Sequence, residues 1–229
     1  MSNKKNKVEK TEETNFQDML ISEVTEDLHN EQIMKMWQKY KILIFLTIIL
    51  VIGVLAGMEG YLSWKRKVRL AESDTYEQAA VLNAQGQSEE ALTKYGSLKD
   101  GRTDYRYLAE MRQAGILFDE GKDKEALDVL NALRQDNSAP ETLRAIAALG
   151  YVSHQVETGN PEELQSILNP YLTVGNSWYG TAAELSIMLL IREGKIEKAN
   201  KMLDEALSMS DIPSVVKEHL SVIKKVLEK

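Results

Sequence analysis

The chain has no cysteine among its 229 residues. This absence excludes disulfide bonds, thiolate metal ligands and cysteine catalysis, although it does not assign the chain to a redox compartment. Histidine is scarce as well, since the chain has three, His29, His154 and His219, far apart in the sequence. A histidine-based metal site or catalytic triad therefore has little support. The sequence predicts a protein that is not an enzyme, with no catalytic, metal-binding or cofactor-binding residue.

Positively charged residues are also fewer than negatively charged ones. The formal net charge is −7, which argues against a nucleic-acid partner, because phosphate binding needs clustered Lys and Arg. One dense basic cluster exists, at Lys65, Arg66, Lys67 and Arg69, and it closely follows the longest apolar run. Anionic lipid headgroups explain a basic cluster at that position.

Charge is absent altogether from residues 42–58. A helix rises about 1.5 Å per residue, so about 20 residues cross a hydrocarbon core of about 30 Å, and residues 41–64 supply that length. The aromatic residues Trp37 and Tyr40 precede the run, while Tyr61 and Trp64 follow it, at the levels where lipid headgroups favour such rings. A single transmembrane helix is therefore predicted over residues 41–64, with a buried core helix as the alternative.

A cleaved signal peptide does not fit the same run. Such a peptide has a short charged leader, an apolar stretch of about 7 to 15 residues and a cleavage site between small residues. Here the leader covers residues 1–40, the apolar run is longer, and residues 60–67 (GYLSWKRK) contain no such site. The sequence therefore predicts an uncleaved anchor.

The leader and the run contain two further patterns. Residues 1–15 are highly charged, which predicts disorder, whereas Phe16, Leu20, Val24 and Leu28 recur at every fourth position and predict an amphipathic helix. Within the run, Gly53 and Gly57 form a GxxxG pattern, which lets a second transmembrane helix approach closely. This pattern favours contact with a partner's helix or self-association, although glycine is common in membrane helices in any case.

Four segments of the remaining chain begin with glycine and continue with residues at helical spacing. Gly86 is followed by Gly121 after 35 residues, by Gly159 after 38 more and by Gly194 after another 35. A period near 34 residues is typical of helix-turn-helix solenoids. Positions 5, 9 and 12 after each glycine form one apolar stripe. The stripe residues are Ala91, Tyr95, Leu98, Ala126, Leu130, Leu133, Leu164, Leu168, Tyr171, Ala199, Leu203 and Ala206.

An apolar helix also precedes each glycine, and a glycine with positive φ closes a tight turn between two helices. We expect positive φ at Gly121 and Gly194 in particular. One helix pair cannot bury its own stripe, so stacked pairs are expected. The pattern resembles the tetratricopeptide repeat, with a small residue on the first helix at Ala79 and Ala114; an irregular helical bundle is the alternative. The predicted fold is all-α: a transmembrane helix, then about four tetratricopeptide-like pairs and a polar-faced capping helix within residues 65–229.

The arrangement of the whole chain carries a more specific resemblance. The acidic leader of residues 23–41, the apolar run, the basic WKRK at residues 64–67 and NSWYGTAAELSIMLL at residues 176–190 follow one another in order. This order resembles single-span bacterial inner-membrane proteins with a periplasmic tetratricopeptide-like domain, related to the ancillary subunit of the SecYEG translocon. The resemblance implies that the domain contacts the translocon, a membrane-anchored periplasmic chaperone and secreted chains.

The charges beside the run bear on topology. Three basic residues lie on the N-terminal side, Lys35, Lys39 and Lys41, and four on the C-terminal side, Lys65, Arg66, Lys67 and Arg69. The positive-inside rule thus slightly favours a cytoplasmic C-terminal domain, but it weakens when a long domain follows. We therefore expect the topology that the resemblance implies, with the N-terminus in the cytoplasm and the domain in the periplasm.

The first helices of a solenoid build its concave binding surface. By analogy with tetratricopeptide geometry, the partner-binding candidates are Tyr76, Asn83, Met111, Phe118, Ser153, Glu184, Met188 and Arg192. Of these, Met111, Phe118 and Met188 are expected to be exposed apolar side chains.

The predicted function is a membrane-anchored protein-interaction module, either a translocon-associated adaptor or a chaperone-linked scaffold on the periplasmic side. An assembly or scaffold factor for another cell-envelope complex is the alternative, and self-association stays open. A membrane-bound enzyme is a distinct class, which would require a coupled acid–base pair in a deep pocket.

Overall fold

A computed structural model of the chain describes the backbone of residues 5–227 and the side chains of residues 34–227. This described part contains nine α-helices, one short 3-10 helix and no strand, which confirms the all-α prediction. The helices are α1 (Lys5–Ala84), α2 (Ser88–Gly96), α3 (Tyr105–Asp119), α4 (Asp123–Gln135), α5 (Glu141–Gln155), α6 (Pro161–Leu168), α7 (Tyr179–Arg192), α8 (Ile196–Ser208) and α9 (Ser214–Leu227). The 3-10 helix, Asn169–Tyr171, directly follows α6.

The chain divides into two compact units, Met1–Lys65 and Arg66–Lys229. In the first unit, α1 is already helical from Lys5, where we expected disorder as far as residue 15. The amphipathic face predicted for residues 16–28 concerns side chains outside the described residues and stays a prediction.

The apolar run forms part of α1. By length and composition, α1 is the one helix among the described residues that is able to cross a membrane, and its apolar window is not buried. Its large side chains, such as Ile42, Leu50 and Val54, are more than 60% exposed. Packing inside the fold therefore does not account for the run, and membrane crossing stays a prediction from its length and apolar character.

The second unit is a stack of helix pairs. The end of α1 packs against α2, α3 against α4, α5 against α6, and α7 against α8. Contacts of α2 with α3, α4 with α5 and α6 with α7 join successive pairs, and α9 covers α7 and α8. Each pair thus buries its apolar face against its sequence neighbours, which is the architecture of a helical solenoid.

The predicted stripe forms the core of this stack. Eleven of its twelve residues are buried, with Ala91, Ala126 and Ala199 fully inaccessible to solvent. The twelfth, Tyr171, is partly buried because it lies in the 3-10 helix rather than in α6. Small alanines at these buried positions let the backbones of paired helices approach closely.

Three of the four repeat glycines close their turns in the predicted way. Gly86, Gly121 and Gly194 have φ of 78°, 70° and 74°. The third turn is built differently, since the side-chain oxygen of Asn160 accepts hydrogen bonds from the backbone N–H groups of Glu162 (2.9 Å) and Glu163 (3.2 Å). This asparagine cap starts α6, so the longer third linker does not use a left-handed glycine.

The glycine turns lead to a test of stability. Replacing Gly121 or Gly194 with Val forces a β-branched residue into a left-handed conformation, which should lower the free energy of unfolding by about 1 to 3 kcal/mol. Urea denaturation of the full chain in mild detergent, followed by circular dichroism, measures the change. The matched control is Gly115→Ala inside α3, where an added Cβ has open space and the better helix former should be neutral or stabilising. Unchanged stability in both Val variants would contradict the role of these turns.

A carboxylate ties the end of α1 to the loop between α2 and α3. Glu72 accepts hydrogen bonds from the backbone N–H groups of Arg102 (2.8 Å) and Thr103 (3.0 Å) and from the Thr103 hydroxyl. Burial alone would raise the pKa of Glu72, but these hydrogen bonds outweigh burial and hold its pKa below the ordinary value.

Glu72 should therefore make stability depend on pH. A pKa that is lower in the folded state contributes stability above the unfolded value of about 4.3, and that contribution is lost as pH falls through the folded pKa. We expect Glu72→Gln to cost about 1 to 3 kcal/mol at neutral pH and to show a smaller further loss in acid than the parent chain. Urea denaturation at neutral and acidic pH measures both effects, with exposed Glu90→Gln as the control. Identical pH profiles for Glu72→Gln and the parent would contradict this assignment.

Candidate interaction surface

The eight partner-binding candidates all lie on the first helices of their pairs, but they differ in exposure. The exposed candidates are Asn83, Ser153 and Met188. The partly buried candidates are Tyr76, Met111, Phe118, Glu184 and Arg192. Each partly buried candidate has an identifiable structural contact.

Tyr76 is part of an aromatic corner between the first two pairs. Its ring packs edge-on against Tyr95, with centroids 5.3 Å apart, and lies 5.6 Å from the ring of Tyr105. The Tyr76 hydroxyl accepts a hydrogen bond from Nε of Arg112 at 3.2 Å. Such aromatic pairs add stability beyond their buried area, so Tyr76 holds α1, α2 and α3 together.

Met111 and Phe118 pack against the core between α3, α4 and α5. The Phe118 ring also stacks on the imidazole of His154, with centroids 3.5 Å apart and planes inclined by 4°. Three apolar candidates were expected to be exposed, and only Met188 is, at 37%. Met111 and Phe118 are partly buried against the neighbouring pair. His154 joins two repeats through this stack.

Arg192 closes the turn of the preceding pair. Its guanidinium donates hydrogen bonds to the carbonyl oxygens of Val156 and Gly159, each at 2.5 Å. Both carbonyls belong to the long turn between α5 and α6, where the glycine turn of the other pairs is missing. The fork of donors on one Arg satisfies two backbone acceptors at once, so Arg192 links α7 to the third pair.

Glu184 contacts the cap rather than open solvent. Its Oε1 lies 3.1 Å from Nδ1 of His219 on α9. Nearby, Leu220 is fully buried between α7, α8 and α9. The cap is thus fixed to the last repeat by a buried leucine and by a polar contact at its edge.

An apolar groove of about 490 Å³ lies beside that cap. It is bounded by the end of α5, by α7 and by α9. Its lining residues are Val156, Glu157, Met188, Ile191, Arg192, Val222, Ile223, Val226 and Leu227. Two of the eight candidates, Met188 and Arg192, therefore meet in one groove.

The contribution of α9 to this groove was not predicted from the sequence. Val215, Val222 and Val226 are 61%, 56% and 66% exposed, so the cap is not polar on its whole outer face, contrary to expectation. The signal was present in the spacing, because these valines fall at i, i+7 and i+11 and share one side of a helix. A second, exposed apolar stripe therefore runs along α9 beside the buried one.

Two acidic side chains of the described residues, Glu110 and Asp136, lie near Arg106. The described residues include no group of three or more His, Asp or Glu side chains able to hold a metal ion. Burial raises the pKa of Glu110, Arg106 opposes that rise and Asp136 adds to it, so the shift reflects partial burial together with these two charged neighbours. Arg106 also pairs with Asp136 at 3.1 Å, which joins α3 to the end of α4.

Gly53 and Gly57 lie on the apolar part of α1 in the first unit. A Cβ added at either position would meet no atom within 4 Å. The space beside the GxxxG face is therefore open in the single chain, and its use by a second helix stays a prediction.

Comparison with known proteins places this geometry in a family. Residues 34–224 match the family model described as a tetratricopeptide repeat-like domain. The match covers α1 from residue 34 onward, which includes the apolar run, and also all four helix pairs and most of the cap. No curated protein and no solved structure matches the chain. Domains of this family are typically non-enzymatic modules that bind proteins. By the stacked helix pairs and the extent of this match, the chain belongs to the tetratricopeptide repeat-like domain family.

Proposed function

We propose that the protein is a non-enzymatic adaptor, anchored in the bacterial inner membrane by α1, whose repeat domain binds proteins beside the secretion translocon in the periplasm. The observation that carries the proposal is the combination of an exposed apolar run with a protein-binding repeat domain in one chain. Tethering raises the effective concentration of the domain near membrane-bound partners.

The proposed association with the translocon rests on the sequence resemblance. The acidic leader, the apolar run and the basic WKRK at residues 64–67 support a relation to the ancillary translocon subunit. The same resemblance supports a periplasmic domain. The positive-inside rule favours the opposite topology, but only by one basic residue. In the proposed role, the domain contacts the translocon, a membrane-anchored chaperone and emerging secreted chains.

Photo-crosslinking in intact bacterial membranes tests the partner assignment. A photoreactive amino acid at Asn83 or Ser153 lies on an exposed first-helix position, whereas Lys124 and Lys198 provide exposed control positions on second helices. We expect adducts with translocon subunits or a membrane-anchored chaperone from the first-helix positions, identified by mass spectrometry, and fewer from the controls. Adducts with a different envelope complex would favour the alternative scaffold function. Equal yields at all four positions would contradict partner binding through the first helices.

Topology is tested separately in the naturally cysteine-free chain. A single cysteine at Val174, which is 75% exposed in the loop before α7, should react with a membrane-impermeant maleimide in spheroplasts. A single cysteine at Ser22 in the leader should react only after lysis. The reverse pattern would place the repeat domain in the cytoplasm and overturn the periplasmic part of the proposal.

A further inference from the structure

The exposed side of α9 has the pattern of a helix that pairs with another helix. Val216, Leu220, Ile223 and Leu227 pack against α7 and α8. A second stripe, formed by Val215, His219, Val222 and Val226, runs beside the packed one. We call this second stripe the α9 outer stripe. Its steps of four, three and four residues match the alternating d and a positions of a coiled-coil seam.

The outer stripe fits its own copy when the two helices run in opposite directions. In an antiparallel pair, d positions face a positions of the other helix. Val215 then faces Val226 of the second copy, and His219 faces Val222. All four layers form at once, because the stripe is symmetric about its centre between His219 and Val222. A two-fold axis brings the same patch of both copies together, as closed dimers require.

The charges beside the stripe complement each other in the same arrangement. Glu218 and Lys225 are exposed and lie on the same edge of the outer stripe. Two-fold antiparallel pairing places Glu218 of each copy beside Lys225 of the other, so each edge of the pair carries opposite charges. Within α9, Glu218 has no basic residue three or four positions away, so no helical i,i+4 ion pair competes for its carboxylate.

The groove beside α9 provides room for the second helix. Val222 and Val226 form one wall and Met188 of α7 the other. A helix that lies on the outer stripe also covers Met188, which is exposed in the single chain. The apolar surface that one copy leaves open is thus covered by the corresponding surface of the second copy.

We propose that two copies of the chain associate through α9, in an antiparallel, two-fold symmetric helix pair formed by the outer stripe. This association goes beyond the adaptor function, because it is independent of the membrane anchor, the topology and the identity of any partner. It assigns the groove beside the cap to self-association and leaves the exposed first-helix positions Asn83 and Ser153 for other proteins.

The cysteine-free full chain, purified in detergent, allows a direct test. Val215→Cys and Val226→Cys are prepared singly and together, at positions exposed enough to leave the melting temperature unchanged. In the proposed pair, position 215 of one copy meets position 226 of the other. Position 215 of one copy lies about 11 residues, or about 16 Å, along the helix from position 215 of the other copy, and the same offset separates the two copies of position 226. A disulfide requires Cβ atoms about 3.5 to 4.5 Å apart, so neither single variant places its two cysteines within reach.

Mild oxidation should therefore give a covalent dimer from the double variant and from an equimolar mixture of the two single variants. Each single variant alone should give several-fold less. Equal dimer yields from the single variants would indicate parallel pairing or random collision and overturn the proposal, as would the absence of dimer from the double variant. Adducts of a different mass formed only in native membranes would assign the stripe to a different protein, which also overturns self-pairing.

Charge reversal provides the second variant. On the double-cysteine background, Glu218→Lys should reduce the dimer yield several-fold, because it places two lysines opposite each other at each edge contact. Adding Lys225→Glu to that variant should restore the yield. If Glu218→Lys has no effect, or if the paired reversal fails to restore dimerisation, the antiparallel arrangement is wrong.

Discussion

Leu203→Ala is expected to lower the free energy of unfolding of the repeat domain by about 2 to 5 kcal/mol. Leu203 is fully buried on α8 and packs in the cluster that joins α7, α8 and α9, together with Ile187, Ala206 and Leu220. Removing three heavy atoms leaves a cavity, because helices on three sides hold their positions. Urea denaturation followed by circular dichroism measures the loss.

Ile196→Ala is the matched control for this cavity. Ile196 lies at the start of the same helix but is 38% exposed, so its truncation should change the unfolding free energy by less than about 1 kcal/mol. Similar losses for Leu203→Ala and Ile196→Ala would mean that the predicted stripe is not the core. A loss of stability at Leu203 alone would show that the buried face of α8, and not its exposed face, stabilises the fourth pair.

Arg192→Met should cost about 2 to 3 kcal/mol, the second largest effect that we expect. The substitution keeps most of the aliphatic stem but leaves the carbonyl oxygens of Val156 and Gly159 without their charged donor. Partly buried acceptors that lose a partner carry a desolvation cost. Arg192→Lys should recover part of the loss, since a lysine supplies charge without the planar fork.

Hydrogen exchange distinguishes this role from a partner-binding role. If Arg192 holds the third turn, Arg192→Met should increase amide exchange at residues 156–160 in the isolated protein, with no partner present. Lys201→Met is the control, because Lys201 is 80% exposed and its contact with Glu205 is 4.0 Å long, a surface pair of little energetic value. Unchanged stability and exchange in Arg192→Met would contradict this structural role and leave Arg192 as a partner-binding candidate.

The elements that follow from local spacing could be predicted from the sequence. The stripe of Ala126, Leu130 and Leu133 requires only the 3.6-residue period of a helix, and it is buried. The positive φ of Gly121 and Gly194 follows from the end of one amphipathic helix and the start of the next. Residue spacing fixes these features because neighbouring helices in a solenoid are also neighbours in the sequence.

The interaction surface depends on contacts that residue spacing does not contain. Phe118 has the spacing of a groove residue, but the approach of α5 places its ring on His154. Arg192 similarly reaches a turn 33 residues earlier in the chain at Gly159. The spacing of the α9 outer stripe can be read from the sequence, but its exposure depends on which side of α9 packs against α7 and α8. The sequence therefore predicts the repeat, whereas the free surface requires the packed structure.

Because successive pairs touch mainly their sequence neighbours, folding of the repeat domain should begin without waiting for the whole chain. Such local contacts carry a small loop-closure cost and favour fast folding. During synthesis, each new pair finds the preceding pair already available as a template. The exception is the end of the stack, where Leu203 and Ile187 stay partly uncovered until α9 arrives. Docking of α9 therefore completes this core, which makes truncation of α9 more damaging than its length suggests.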